Sequence, residues 1–192
     1  MSSQTNQPNT PAPRTRSGGP IVVGLAGWSG SGKTALARAL ISAMRARGLR
    51  VATLKHAHHG FDVDTPGKDS FEHRAAGASE VIVASSQRIA HMIEDPLPDP
   101  DERRALEPLL ARLGPVDVVL VEGFKRAGHP KLEVSREALG KPRLLDTVPN
   151  VIAVATPSGD SAAASAVPVY DLNRPEDWID EALALFAQAD FA

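Results

Sequence analysis

A run of apolar residues from Ile21 to Ala26 leads into Gly27-Trp28-Ser29-Gly30-Ser31-Gly32-Lys33-Thr34, and a helical stretch follows from Lys33 to Arg47. The eight residues fit the pattern of glycine, four free positions, glycine, lysine and serine or threonine. Glycines let a backbone curl with its N–H groups inward, so such a loop forms a nest for phosphate oxygens at a helix N-terminus. Lys33 is placed to lie along the β- and γ-phosphates as a point charge, and the Thr34 hydroxyl to bind the Mg²⁺ that accompanies them. A strand that delivers a loop to a helix opens a βαβ unit, and Val51 to Leu54 supplies its second strand. Gly48 closes the helix after the basic residues Arg38, Arg45 and Arg47.

The rest of the chain keeps alternating. Lys68 to Gly77 reads as a short helix, and Val81 to Ser85 with Arg88 to Ile93 as a β-hairpin. The proline-rich stretch Asp95 to Asp101 is a surface connection, and Asp101 to Leu113 a helix that Pro108 can kink and that Gly114 and Pro115 stop. Asp117 to Val121 and Val151 to Ala155 are nearly continuous apolar strands of the kind buried in parallel sheets. Val169 to Leu172 is a short strand, and Pro175 opens a last helix with Trp178, Ile179, Ala182, Leu183 and Phe186 on its core face. The pattern indicates an α/β fold with a mostly parallel, helix-covered sheet over residues 20–192, without an internal repeat or a second domain.

A phosphate loop needs an acidic partner at the end of a neighbouring apolar strand, to hold the metal's hydration shell or align a water. Val118-Val119-Leu120-Val121-Glu122-Gly123 supplies Glu122, where an aspartate stands more often, and Gly123 allows close approach to phosphate. Asp64-Thr65-Pro66-Gly67 spells an Asp-x-x-Gly switch element, yet it follows the polar loop His58 to Val63 rather than an apolar strand, so the spelling reads as coincidence. Asp64 can still approach the metal. His56, His58, His59, Asp62 and Asp64 leave the carboxyl end of the second strand, the edge at which open α/β sheets collect ligands. Three readings stand for this loop: a segment that senses γ-phosphate and Mg²⁺, a transition-metal site, or a solvated polar loop.

Composition excludes several classes. The net charge is −2, and two basic residues, Arg14 and Arg16, lie in the N-terminal stretch, so the body is more acidic still and offers a poor footprint for nucleic acid. With 0 Cys there are no disulfides, thiolate nucleophiles or cysteine-based metal sites. No apolar run approaches the roughly 20 residues needed to cross a bilayer. Residues 1–19 are rich in Ser, Thr, Asn, Gln, Pro and Gly, with Met1 and Ala12 the only clearly apolar side chains. They read as a disordered arm without the apolar core of a secretory signal, which points to the cytoplasm.

Beyond the phosphate loop, Leu54-Lys55-His56-Ala57-His58-His59, Asp62-Val63-Asp64-Thr65-Pro66-Gly67-Lys68-Asp69-Ser70, Ala76-Gly77-Ala78, Val83-Ala84-Ser85 and Leu120-Val121-Glu122-Gly123-Phe124-Lys125 form a series. With Ala26 to Thr34 they make the chain, from Ile21 to about Leu185, resemble the MobB family, molybdopterin-guanine dinucleotide biosynthesis protein B. The resemblance implies a P-loop NTPase three-layer fold and a homodimeric, GTP-binding protein of weak GTPase activity. Such a protein acts as an accessory factor beside the nucleotidyltransferase that joins GMP to molybdopterin, with molybdopterin itself a possible ligand. By the same resemblance Gly27, Trp28, Ser29, Gly30, Ser31, Gly32, Lys33 and Thr34 hold the nucleotide phosphates, and Thr34 and Glu122, with Asp62, sit near Mg²⁺. Lys33, Glu122 and Asp64 are the catalytic candidates, and Lys68 belongs to the loop facing the nucleotide.

No Asn-Lys-x-Asp run marks a guanine site. The loop after the late strand reads Thr156-Pro157-Ser158-Gly159-Asp160, in which Asp160 can accept from guanine N1 and N2 or simply cap a turn. Two other functions fit parts of the chain. A small-molecule kinase also opens with this loop, although no arginine-rich lid is evident and Arg103, Arg104 and Arg112 have solvated spacing. A nucleotide-gated metal carrier would use His56, His58 and His59.

Overall fold

The structure, a computed structural model, describes residues 18–57, 60–94, 102–160 and 165–191. The reading of residues 95–101 as a surface connection falls outside these, as does all but the end of the N-terminal arm. By their contacts the described residues fall into two compact units, one drawn from residues 18–56 and 102–191 and the other from residues 57–94.

The larger unit is built on a six-stranded sheet. Its strands are β1 (Ile21–Ala26), β2 (Val51–Lys55), β5 (Val118–Glu122), β6 (Lys131–Val134), β7 (Val151–Thr156) and β8 (Val169–Asp171), in the order β2-β5-β1-β6-β7-β8. Every pairing is parallel, which agrees with the apolar runs read in the sequence. Helices α1 (Lys33–Ala46) and α4 (Pro175–Gln188) lie on one face. There Leu36, Leu40 and Met44 with Trp178, Ile179, Leu183 and Phe186 close over Ile21, Val23, Leu25, Val118, Leu120 and Leu132. Arg47 joins the two helices through a paired contact with Asp180, at 2.7 and 2.9 Å. Gly48, in the left-handed region at φ 78°, ends α1 as expected. Helix α3 (Glu102–Ala111) contains Pro108 and still runs on to Ala111.

Strand β6 escapes the sequence reading although it is central, between β1 and β7. Its charged residues Lys131 and Glu133 are each only 1 % exposed, and they alternate with the core residues Leu132 and Val134. Burial is tolerated because both charges are saturated. The Lys131 ammonium donates to the carbonyls of Ala127, His129 and Pro149. The Glu133 carboxylate accepts the backbone N–H groups of Leu144 (2.8 Å) and Leu145 (2.9 Å).

His129 stands beside them, fully buried, and neither ring nitrogen has a partner among the described residues. Its ring occupies space that only a glycine at position 24 leaves open, since a Cβ there would lie 2.5 Å from Nε2. Burial first, and the Lys131 charge second, push the His129 pKa down to about 3 from 6.5. The unfolded chain therefore takes up this proton before the folded one does. His129 contributes its full stability above pH 6.5, and that contribution falls by up to about 1.4 kcal/mol per unit as pH drops from 6.5 towards 3. Urea midpoints at pH 7.5 and pH 5 should therefore differ more for the wild type than for His129→Leu; equal differences would remove His129 from the acid response.

The smaller unit holds α2 (Asp69–Ala75) and the two-stranded antiparallel sheet of β3 (Glu80–Ala84) and β4 (Ile89–Ile93). This is the expected hairpin. Ser85 Oγ accepts the N–H groups of Gln87 and Arg88 at its turn. Ile82 and Ile89 lie exposed on one face of it, 63 % and 72 % accessible.

Candidate nucleotide site

The loop between β1 and α1 has the shape its glycines allow. Gly30 and Gly32 sit in the left-handed region at φ 80° and 100°. Gly27 leaves no room for a side chain, because a Cβ would stand 2.6 Å from Ser31 Oγ and 2.7 Å from the Val134 carbonyl. Ser31 is buried and its hydroxyl has no partner among the described residues, which leaves a polar atom unspent inside the cradle. Gly32 caps α1 without a side-chain hydrogen bond, so the helix's first N–H groups have no side chain closing them off from a phosphate.

Lys33 folds back across the loop and donates to the carbonyls of Gly27 (3.0 Å) and Trp28 (2.8 Å). Burial chiefly, with Lys125 and Lys55 nearby, holds its pKa below the ordinary lysine value against the opposing pull of Glu122. Four charged groups thus converge on one place, three of them cations. Glu122 ends β5, and the register that sets Leu25 opposite Glu122 brings it to the sheet edge from which the loop departs. Lys55 Nζ lies 3.8 Å from its carboxylate. The backbone turns sharply after it: Gly123 has φ 92° and Phe124, a bulky residue, φ 49°. A Cβ at Gly123 would approach His56 Cβ to 2.7 Å, and the His56 ring stacks on Phe124 at 4.8 Å. A left-handed phenylalanine costs about 1–3 kcal/mol and persists only where packing enforces it; here Phe124 is 1 % exposed.

Trp28 is pinned by its indole N–H to the Pro142 carbonyl at 2.8 Å, with Lys125 and Lys141 ammonium groups 5.3 and 6.0 Å from its ring centre. Ser29, Gly30 and Thr34 are exposed. Beyond β7, one oxygen of Asp160 accepts both the Thr156 hydroxyl and the Glu137 N–H, each at 3.0 Å. Arg136, which no sequence motif marks, follows β6 and donates Nε–H to the Ser31 carbonyl at 3.0 Å.

Asp62 and Asp64 belong to the smaller unit, where both are drawn onto one guanidinium. Arg74 donates to Asp62 at 2.9 and 3.2 Å, to Asp64 at 3.4 Å and to Glu94 at 2.7 Å. Asp64 also accepts the Ser70 hydroxyl at 3.0 Å. The Arg74 contact holds the Asp62 carboxyl below the usual carboxylate range. Of the histidine cluster, His58 and His59 lie outside the described residues.

The model of the family "Molybdopterin guanine dinucleotide synthesis protein B" matches residues 22–157. The chain belongs to this family. It is 43 % identical over 162 residues to the "Molybdopterin-guanine dinucleotide biosynthesis adapter protein" of Escherichia coli (strain K12), across 83 % of this chain and 89 % of that protein. It is 42 % identical over 137 residues to the protein of the same name from Haemophilus influenzae, across 70 % of this chain and 74 % of that one. A crystal structure of a MobB homologue from Bacillus stearothermophilus superposes with a TM-score of 0.59 at 27 % identity, covering 86 % of this chain and 97 % of the other. The three-layer P-loop fold expected from the sequence is thus the fold of the MobB family. No helix among the described residues is long and apolar enough to cross a membrane.

Proposed function

We propose that this MobB-family chain is a GTP-binding adapter in molybdopterin-guanine dinucleotide biosynthesis, acting in the cytoplasm beside the nucleotidyltransferase that attaches GMP to molybdopterin. The observation that carries the nucleotide reading is the cradle itself: a buried unpartnered hydroxyl at Ser31, two left-handed glycines and a lysine held back on the loop's own carbonyls. The adapter reading rests on the names borne by the 43 % and 42 % identical relatives.

Residues 20–192 form the nucleotide-binding domain in this reading, and residues 1–19 are an arm outside it. On binding, Lys33 exchanges its two carbonyl contacts for the β- and γ-phosphates. Its charge and the loop N–H groups then offset the negative charge that spreads as water attacks the γ-phosphate in line. Glu122 orients that water. Mg²⁺ would be held through the Thr34 hydroxyl with Glu122 in support, and it would supply neutralisation of phosphate charge. We assign neither Asp62 nor Asp64 to it, because Arg74 already engages both carboxylates. Hydrolysis by the chain alone is slow. Ile82 and Ile89 on the hairpin are the apolar surface we assign to a homodimer, which the mass in solution checks.

The test combines calorimetry with reconstitution. GTP with Mg²⁺ should bind well and ATP poorly, and the chain should raise the yield of GMP-joined molybdopterin when added to the nucleotidyltransferase. ATP binding equal to GTP binding, with phosphate passed to an acceptor, would replace this reading with that of a kinase.

A further inference from the structure

We propose that Arg136 and Asp160 together read the guanine base, replacing the Asn-Lys-x-Asp element that the chain lacks; the proposal rests on the nucleotide-binding reading above. Arg136 spends one donor, Nε–H, on the carbonyl of Ser31 within the phosphate loop. Its guanidinium lies against Gly32, where a Cβ would stand 3.4 Å from Nη2 and 3.5 Å from Nε. The N–H groups of Nη1 and Nη2 make no hydrogen bond among the described residues. A planar fork is therefore fixed at its base, on the wall of the site, with its outer donors unspent.

Asp160 is the complementary half. One carboxylate oxygen is held by the Thr156 hydroxyl and by the N–H of Glu137, the residue next to Arg136. The other oxygen makes no hydrogen bond among the described residues. Donor and acceptor stand on two loops that the Glu137 N–H joins to each other, and Ser31 ties the first of them to the phosphate loop. Their side of the sheet also matters. Glu122 leaves β5 on one flank of β1, while Arg136 follows β6 and Asp160 follows β7 on the other. With the metal and γ-phosphate at the Glu122 flank, a nucleotide lying across the strand ends carries its base towards Arg136 and Asp160.

Guanine presents two acceptors, O6 and N7, which an arginine fork meets bidentately, and donors at N1 and N2, which a carboxylate meets. Adenine keeps N7 but places an amino group where guanine has O6, and its N1 carries no proton, so the O6 half of the arginine contact and the N1 contact of the carboxylate turn from attraction to a clash of like groups.

The experiment is calorimetry on the full chain with GTP, ATP and xanthosine triphosphate, all with Mg²⁺, for wild type, Arg136→Gln, Arg136→Lys and Asp160→Asn. Arg136→Gln should weaken GTP roughly 10- to 100-fold and leave ATP unchanged, and lysine should restore little of it. Asp160→Asn should turn preference towards xanthosine triphosphate, whose C2 carbonyl accepts from the new amide; this gain cannot come from misfolding. Equal losses for GTP and ATP in Arg136→Gln would make the arginine a phosphate clamp and overturn the proposal, as would an Asp160→Asn chain that still prefers GTP. If the wild type binds GTP and ATP equally, base reading fails while the phosphate loop stands. If it binds neither, both readings fall together.

Discussion

Lys33→Ala is expected to bind GTP at least about 100-fold more weakly and to show no hydrolysis above background. A charge-assisted hydrogen bond contributes about 1.5–3 kcal/mol net, and Lys33 is placed to make such bonds to two phosphates at once. The cluster of Lys33, Lys55 and Lys125 is self-repelling without a ligand, which lowers the Lys33 pKa after burial has done so. A polyphosphate relieves that repulsion, so binding draws on it as well as on direct contact. Folding should change little: the alanine variant loses only two donations to the Gly27 and Trp28 carbonyls, beside exposed loop residues that water can reach. A melting temperature within a few degrees of wild type, together with lost binding, is the expected pair of results. Lys33→Arg should not rescue, since a planar fork does not fit a cradle shaped for a compact ammonium. Full hydrolysis by Lys33→Ala would sink the assignment.

The parts of the site that were legible in the sequence are those whose chemistry is local. The loop from Gly27 to Thr34 must be contiguous to wrap a phosphate, and Glu122 is marked by the apolar strand it ends. Strand β6 is hidden for a physical reason. A four-residue strand with a lysine and a glutamate looks like an edge or a loop, because burial of both charges is tolerated only with acceptors and donors that come from residues 127–149. Arg136 is hidden with it: its partner Ser31 is 105 residues away in the chain, and no spacing rule connects them. Asp62 and Asp64 are placed near the nucleotide by the family resemblance, and their contacts with Arg74, 12 and 10 residues further on, follow no motif that would mark them in the sequence.

That hidden strand carries the second large effect. Glu133→Ala is expected to destabilise the chain by about 3 kcal/mol, because the buried N–H of Leu144 and the partly buried N–H of Leu145 lose their acceptor. For a chain of this length the loss corresponds to a melting temperature lower by roughly 6–12 °C. Glu133→Gln keeps one acceptor oxygen and should lose about half as much. A melting temperature of Glu133→Ala within a degree or two of wild type would show that the 140–150 segment holds itself without the carboxylate. The effect should also reach the nucleotide. Val134, next to Glu133, presents the carbonyl that lies 2.7 Å from the Cβ position of Gly27, and Arg136 follows closely. A strand loosened at Glu133 therefore moves one wall of the phosphate loop. GTP affinity in Glu133→Ala should fall even at temperatures where the chain is fully folded, whereas Glu133→Gln, with β6 still anchored, should bind like wild type.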